Sequence, residues 1–194
     1  MIIGNTKEFA IEYEIRVAYE RLSLRGLGFF VIHASGHSYG VKSANSTMLA
    51  CSFDAVQRRL TDRGKHTAPF AEYPDAGRIA DSVTRALYAE GEESEPLLGI
   101  PRSDFADLIY SNRIIWAPDG DEAFDDGSRV LQFDVGESVR LIGFRTRSGR
   151  HDRQSLTDTW MTATTFYSVL DEWLRMFEAE WKAKSKTSLD LNTD

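Results

Sequence analysis

Phe9, Ile11, Tyr13 and Ile15 alternate with Glu8, Ala10, Glu12 and Glu14 near the start of the chain. A period of two sends successive side chains to opposite faces, so this stretch must be a strand with one buried and one wet face. Such a strand needs neighbours to satisfy its backbone and an apolar layer to cover it. At the other end, Leu156, Trp160, Ala163, Tyr167, Leu170, Leu174, Phe177 and Trp181 recur every three or four residues, which predicts a long amphipathic helix able to be that cover. The two patterns together indicate an α+β fold.

The segments between them fill in the class. Gly28 to Ala34 (GFFVIHA) is rich in β-formers, and Ser35-Gly36-His37-Ser38 supplies turn residues before Tyr39-Gly40-Val41, so a hairpin is expected. Ser52 is placed as an N-cap with Phe53, Val56 and Leu60 at helical spacing behind it, predicting a helix over 53–63 ended at Gly64. A second helix is expected over about 75–89, and Ser103 with Asp104 would open a third through Tyr110. Arg129 to Val135 and Ser138 to Arg145 read as strands joined at Gly136-Glu137. The expectation is one mostly antiparallel sheet of four or more strands, packed by helices that include the long C-terminal one.

A chain of 194 residues can enclose one full core but not two ordinary domains and a linker. Its 22 aromatic residues, spread from Phe9 to Trp181, place it among globular chains. Residues 1–181 are therefore assigned to a single domain, and 182–194, with little to bury, to a flexible tail. The opening residues have neither a basic nor an apolar leader segment, and no apolar run approaches the roughly 20 residues that span a bilayer. Cys51 is the only cysteine, which excludes an internal disulfide and any CxxC pattern. A reducing cytoplasm fits these features.

Charge is distributed unevenly. Residues 90–126 carry eleven acids against Arg102 and Arg113, a net of −9, while the remainder sums to +2 and gives the chain its −7. Such a field repels the phosphates of nucleic acid and anionic lipid and attracts a basic partner from beyond contact range. The plainer reading is a solvated surface that keeps the protein soluble. The basic run Arg140, Arg145, Arg147, Arg150, Arg153 reads as a solvated strand end and loop.

Gly36-His37-Ser38-Tyr39-Gly40 matches the G-x-S-x-G nucleophile elbow of α/β-hydrolases. The elbow needs a helix directly after the serine, whereas Val41 to Thr47 is polar and without helical period, so the context is that of a hairpin. A serine hydrolase using Ser38, with His151 as a distant partner, stays as the alternative function. His33 and His37 stand four apart but flank a strand end and turn, a context that argues against a metal site. Asp119 to Asp126 lacks the glycine and the glutamate of an EF-hand, having Phe124 and Val130 at those positions. No phosphate-binding glycine loop is present. No cofactor, no metal and no catalytic residue is assigned.

MIIGNTKEFAIEYEI, GFFVIHASGHSYGV, STMLACSFDAVQRRL and WAPDGDEAFDDGSRVLQFDVGESVRLIGF together resemble the immunity protein 42 family. The resemblance covers most of residues 1 to 145. It implies a non-enzymatic protein of the bacterial cytoplasm that binds and neutralises the toxic C-terminal domain of a cognate toxin in a contact-dependent inhibition or polymorphic toxin system. It supplies no binding residues. On charge alone, the toxin-facing candidates are Glu92, Glu93, Glu95, Asp119, Asp121, Glu122, Asp125 and Asp126, with Trp116 and Phe124 as aromatic anchors inside the acidic rim, fitted to a basic domain such as a nuclease. A scaffold outside any toxin system is the blander reading, and the oligomeric state is open.

Overall fold

The computed structural model describes residues 1–88, 95–116, 122–147 and 149–188. Strands β1 (Ile2–Asn5), β2 (Phe9–Tyr19), β3 (Gly26–Ala34) and β4 (His37–Tyr39) lie side by side in that order, all antiparallel. β5 (Thr47–Met48) pairs with the start of β3. The expected alternation holds in β2: Phe9, Ile11, Tyr13 and Ile15 are buried. The other face is drier than expected, with Ala10 buried and Glu12 nearly so. The hairpin closes through Ser35 and Gly36, both at positive φ (49° and 78°), so His37 and Ser38 belong to β4 rather than to the turn.

Helix α1 (Leu49–Thr61) begins four residues before the expected start, and Ser52 is buried within its first turns rather than capping it. Helices α2 (Ala76–Tyr88) and α3 (Arg102–Ser111) match expectation, although Pro101 and not Ser103 precedes α3. A 3-10 turn over Glu122–Phe124 leads into β6 (Ser128–Val135), which forms with β7 (Ser138–Arg147) the expected hairpin. β8 (Arg150–His151) and β9 (Thr157–Thr162) both pair with β7, at its two ends.

Two antiparallel sheets are therefore present where one was expected. The region assigned to the first turns of the C-terminal helix is strand: TDTWMT has three β-branched threonines, which lose side-chain freedom in a helix. Helix α4 (Ala163–Ala183) starts only at Thr162, whose hydroxyl accepts from Thr165 N at 3.1 Å. α4 runs to Ala183, and β10 (Lys186–Thr187) pairs parallel with Ala18 and Tyr19 of β2; residues 189–194 of the assigned tail lie outside the described residues.

The second sheet is a wall with a core on each side. Val130, Val139 and Leu141 face a first core shared with the first sheet, α1 and α4, whose Phe166, Leu170, Trp173 and Phe177 are fully buried. Leu131, Phe133, Ile142 and Phe144, on the opposite face, pack with Phe70, Ile79, Val83, Phe105 and Ile109 in a second core under α2 and α3. Fully burying each such side chain stabilises by about 1.5–3 kcal/mol, so this hairpin couples two apolar clusters into one domain. Phe30 is the crossroads of the first core: its ring centroid lies 6.2 Å from Trp116, 6.4 Å from Phe124 and 5.4 Å from Trp173.

Candidate functional site

The serine motif is a joint between the two sheets. Tyr39 is buried, its hydroxyl donates to Ser155 O at 2.7 Å and lies 2.8 Å from Thr157 Oγ1, and burial pushes its pKa up to about 12. Its ring lies against Gly143 of β7, where a Cβ would come within 2.3 Å. Gly40 N donates to Ser128 Oγ at 3.1 Å, and Arg145 Nη2 donates to Ser38 O at 2.7 Å. Glycine is required at position 40 because φ is +122° and a Cβ would crowd the carbonyls of Phe30 and Ala123. Ser38 thus stands in a short antiparallel strand with no strand-to-helix turn behind it. The His151 ring, the distant partner a hydrolase using Ser38 would need, is bonded instead to Asp81 of α2.

The two histidines four apart sit on different strands. His33 Nε2 lies 3.1 Å from Glu12 Oε2, and Lys42 Nζ lies 2.7 Å from Glu12 Oε1. Burial alone would raise the Glu12 pKa, but the bonds from Lys42 and His33 outweigh it and hold the carboxyl below its ordinary value. Across the β3–β4 hairpin, His37 Nδ1 lies 3.3 Å from a nearby carbonyl, Ser35 O.

Of the acidic candidates, Glu92, Glu93, Asp119 and Asp121 lie outside the described residues. The others fall into two groups. Glu95 is exposed beside α2, with Arg85 Nη2 at 4.0 Å, next to the second core. Glu122, Asp125 and Asp126 are exposed together on the 3-10 turn and directly after it, next to the first core. Asp126 also accepts from Ser128 N at 3.0 Å and Arg145 Nε at 3.2 Å, so it holds the turn onto β7 as well as carrying charge.

Trp116 and Phe124 require a correction. Both rings are expected from sequence as anchors for a partner, yet they are 1% and 3% exposed and converge on Phe30 inside the first core. Their polar flanks hid a long-range packing role. Arg140 is corrected too: its sequence context reads as solvated, but it is 1% exposed, and its Nε and Nη2 donate to the two Asp158 oxygens at 2.8 Å each. Its Nη1 donates to the carbonyls of Ala71 and Tyr73, both at 2.7 Å.

A second buried arginine lies at the seam between the cores. Arg59 donates to Gln132 Oε1 and to the carbonyls of Arg113 and Ile115, over distances of 2.8–3.0 Å. Its guanidinium also covers the Trp116 ring at 4.2 Å. Gln132 Nε2 in turn donates to Tyr167 Oη, which donates to Asp134; Asp134 also accepts from the backbone of Gly64 and His66. Burial pushes the Arg59 pKa down to about 9, and pushes that of Tyr167 up. His66 lies below its ordinary value, first because burial penalises its charged form and then because Arg59 repels it. None of this network was legible from local patterns, since its members come from five separate segments.

Among the described residues no helix is long and apolar enough to cross a membrane. The described residues form a scaffold of two sheets and two cores that carries its acidic candidates Glu95, Glu122, Asp125 and Asp126 on the surface. The chain belongs to the immunity protein 42 family, whose model matches residues 1–176. Among solved structures it is similar to the crystal structure of CdiI from Burkholderia dolosa AUO158, at 19% identity and a TM-score of 0.58, covering 91% of this chain and 99% of that one. That likeness shows a shared fold. No curated protein matches the sequence.

Proposed function

We propose that this chain is the immunity protein of a contact-dependent inhibition system, binding the toxic C-terminal domain of its cognate toxin in the bacterial cytoplasm and neutralising it without catalysis. The observation that carries this reading is the family match over residues 1–176; the fold it shares with a CdiI protein supports it. The toxin domain is basic, with a nuclease the best fit to charge. Glu92, Glu93, Glu95, Asp119, Asp121, Glu122, Asp125 and Asp126 steer it, because opposite fields raise association rates with little demand on detailed contacts. Trp116 and Phe124, both core residues, contribute by holding the 3-10 turn in place rather than by touching the partner.

Co-expression with the C-terminal domain encoded beside this gene tests the reading. Growth rescue together with a co-purifying complex supports it, whereas continued toxicity with no complex refutes it. Lysine at Glu122 and Asp125 then tests the steering: association should slow several-fold at low salt and converge with wild type at high salt. Identical rates at low salt would remove the turn from the approach path.

A further inference from the structure

Among the described residues β1 and β9 are both outer strands, and their edges differ in build. β1 is four residues long and carries Gly4 at a φ of 97°, a short and bent edge of the kind that discourages pairing. β9 is six residues long, contains no glycine, proline or lysine, and pairs with β7 alone. Its centre is Trp160, 48% exposed, opposite Arg140 in the register. An exposed indole on an unprotected edge would be a liability in a surface without a use for it.

The indole is also held from beneath. The Arg140 guanidinium lies 5.2 Å from its ring centroid, and that guanidinium is itself fixed by both Asp158 oxygens and by the carbonyls of Ala71 and Tyr73. A supported ring loses little freedom when a partner covers its other side, which is the property of an interface anchor. The surroundings carry the sign of the partner. Asp158 already neutralises Arg140, and two exposed acids stand on the segments that border it: Glu72, between the two residues whose carbonyls hold Arg140, and Glu137, at the turn into β7, whose carbonyl accepts from Ala163 N.

We propose that the outer edge of β9 receives an extended, basic strand of the partner domain, which adds to the second sheet by backbone pairing and covers Trp160. The inference rests on the toxin-binding reading and names where the partner docks. A second copy of this chain is disfavoured as occupant, because a two-fold pairing of β9 would bring the same acids together on two chains that each carry −7.

Hydrogen exchange on the full chain, alone and bound to the cognate toxin domain, tests it. The β9 amides should become protected on binding, and Trp160→Ser should weaken the complex about 30-fold, the effect of losing a single strong aromatic anchor, with the urea midpoint unchanged. Trp160→Tyr should recover part of the loss. A complex in which β9 exchanges as it does in the free protein, and in which Trp160→Ser binds as wild type, overturns the docking edge and leaves the toxin-binding reading standing. Absence of any complex ends both. A free-chain dimer that Trp160→Ser dissociates would assign the edge to a second copy and overturn the proposal.

Discussion

Arg59 and Arg140 are both withdrawn from water, at 4% and 1% exposure, yet their surroundings are opposite in kind. Among the described residues, no carboxylate bonds the Arg59 nitrogens. Its terminal nitrogens bond two carbonyls and Gln132, and Gln132 leads on to Asp134 both directly, at 3.3 Å, and through Tyr167. Arg140 has a direct bidentate partner, Asp158, that is itself about one-third exposed. The first arginine closes an internal seam, where its two terminal nitrogens are satisfied by protein alone and its buried Nε has no hydrogen-bond partner. The second stiffens a surface from below, where water can share the work. A buried cation is weak evidence of stability by itself, and what distinguishes these two is what each one holds up.

Breaking the seam should have the largest effect. Arg59→Ala leaves Gln132 Oε1 and the Arg113 and Ile115 carbonyls without a donor and opens a cavity under Trp116, so urea unfolding should show a loss of about 3–5 kcal/mol. A loss below about 1 kcal/mol would mean that the two cores do not depend on this joint. Gly143→Ala comes next: its Cβ would meet the Tyr39 ring at 2.3 Å, and overpacking the joint between the sheets should lower stability by about 1–3 kcal/mol. Asp158→Asn preserves shape but removes the counter-charge of Arg140. Because Asp158 is partly wet, the expected loss is smaller, about 1–2 kcal/mol, and a loss equal to that of Arg59→Ala would erase the contrast between seam and surface.

The smallest effect is a pH dependence at the seam. His66 is fully buried with its pKa below the ordinary 6.5, so the unfolded chain binds its proton first. Its contribution to stability is therefore complete above about pH 6.5 and declines as pH falls from there toward its folded value. Denaturation midpoints of wild type and His66→Gln should diverge above that pH and converge below it. Parallel curves would show that His66 titrates alike in both states.

How far the sequence foretells this molecule varies by element. The alternation of Phe9 to Ile15 and the turn at Gly136-Glu137 are local signals, and β2 and the β6–β7 hairpin follow them. β9 was hidden because Leu156, Trp160 and Ala163 extend the helical spacing of α4 backwards. The threonines at 157, 159 and 162 were the available counter-signal, and Thr162 with Thr165 marks the true cap. The acidic segment was visible as composition, but where its residues stand was not: Glu95 goes with the second core and Glu122 to Asp126 with the first. Trp116, Phe124 and Arg140 misled for one physical reason. Their burial is decided by partners far away in sequence, Phe30 for the rings and Asp158 with the Ala71 and Tyr73 carbonyls for the guanidinium, and no local window contains those partners.

The central claim is inhibition by stoichiometric capture, and titration of the purified cognate toxin domain with this protein measures it directly. Binding heat and residual toxin activity, followed in the same titration, should both reach their end points at equimolar protein, with activity falling in proportion to the complex formed. Inhibition completed by a small fraction of an equivalent, or full toxin activity within a saturated complex, would contradict the account.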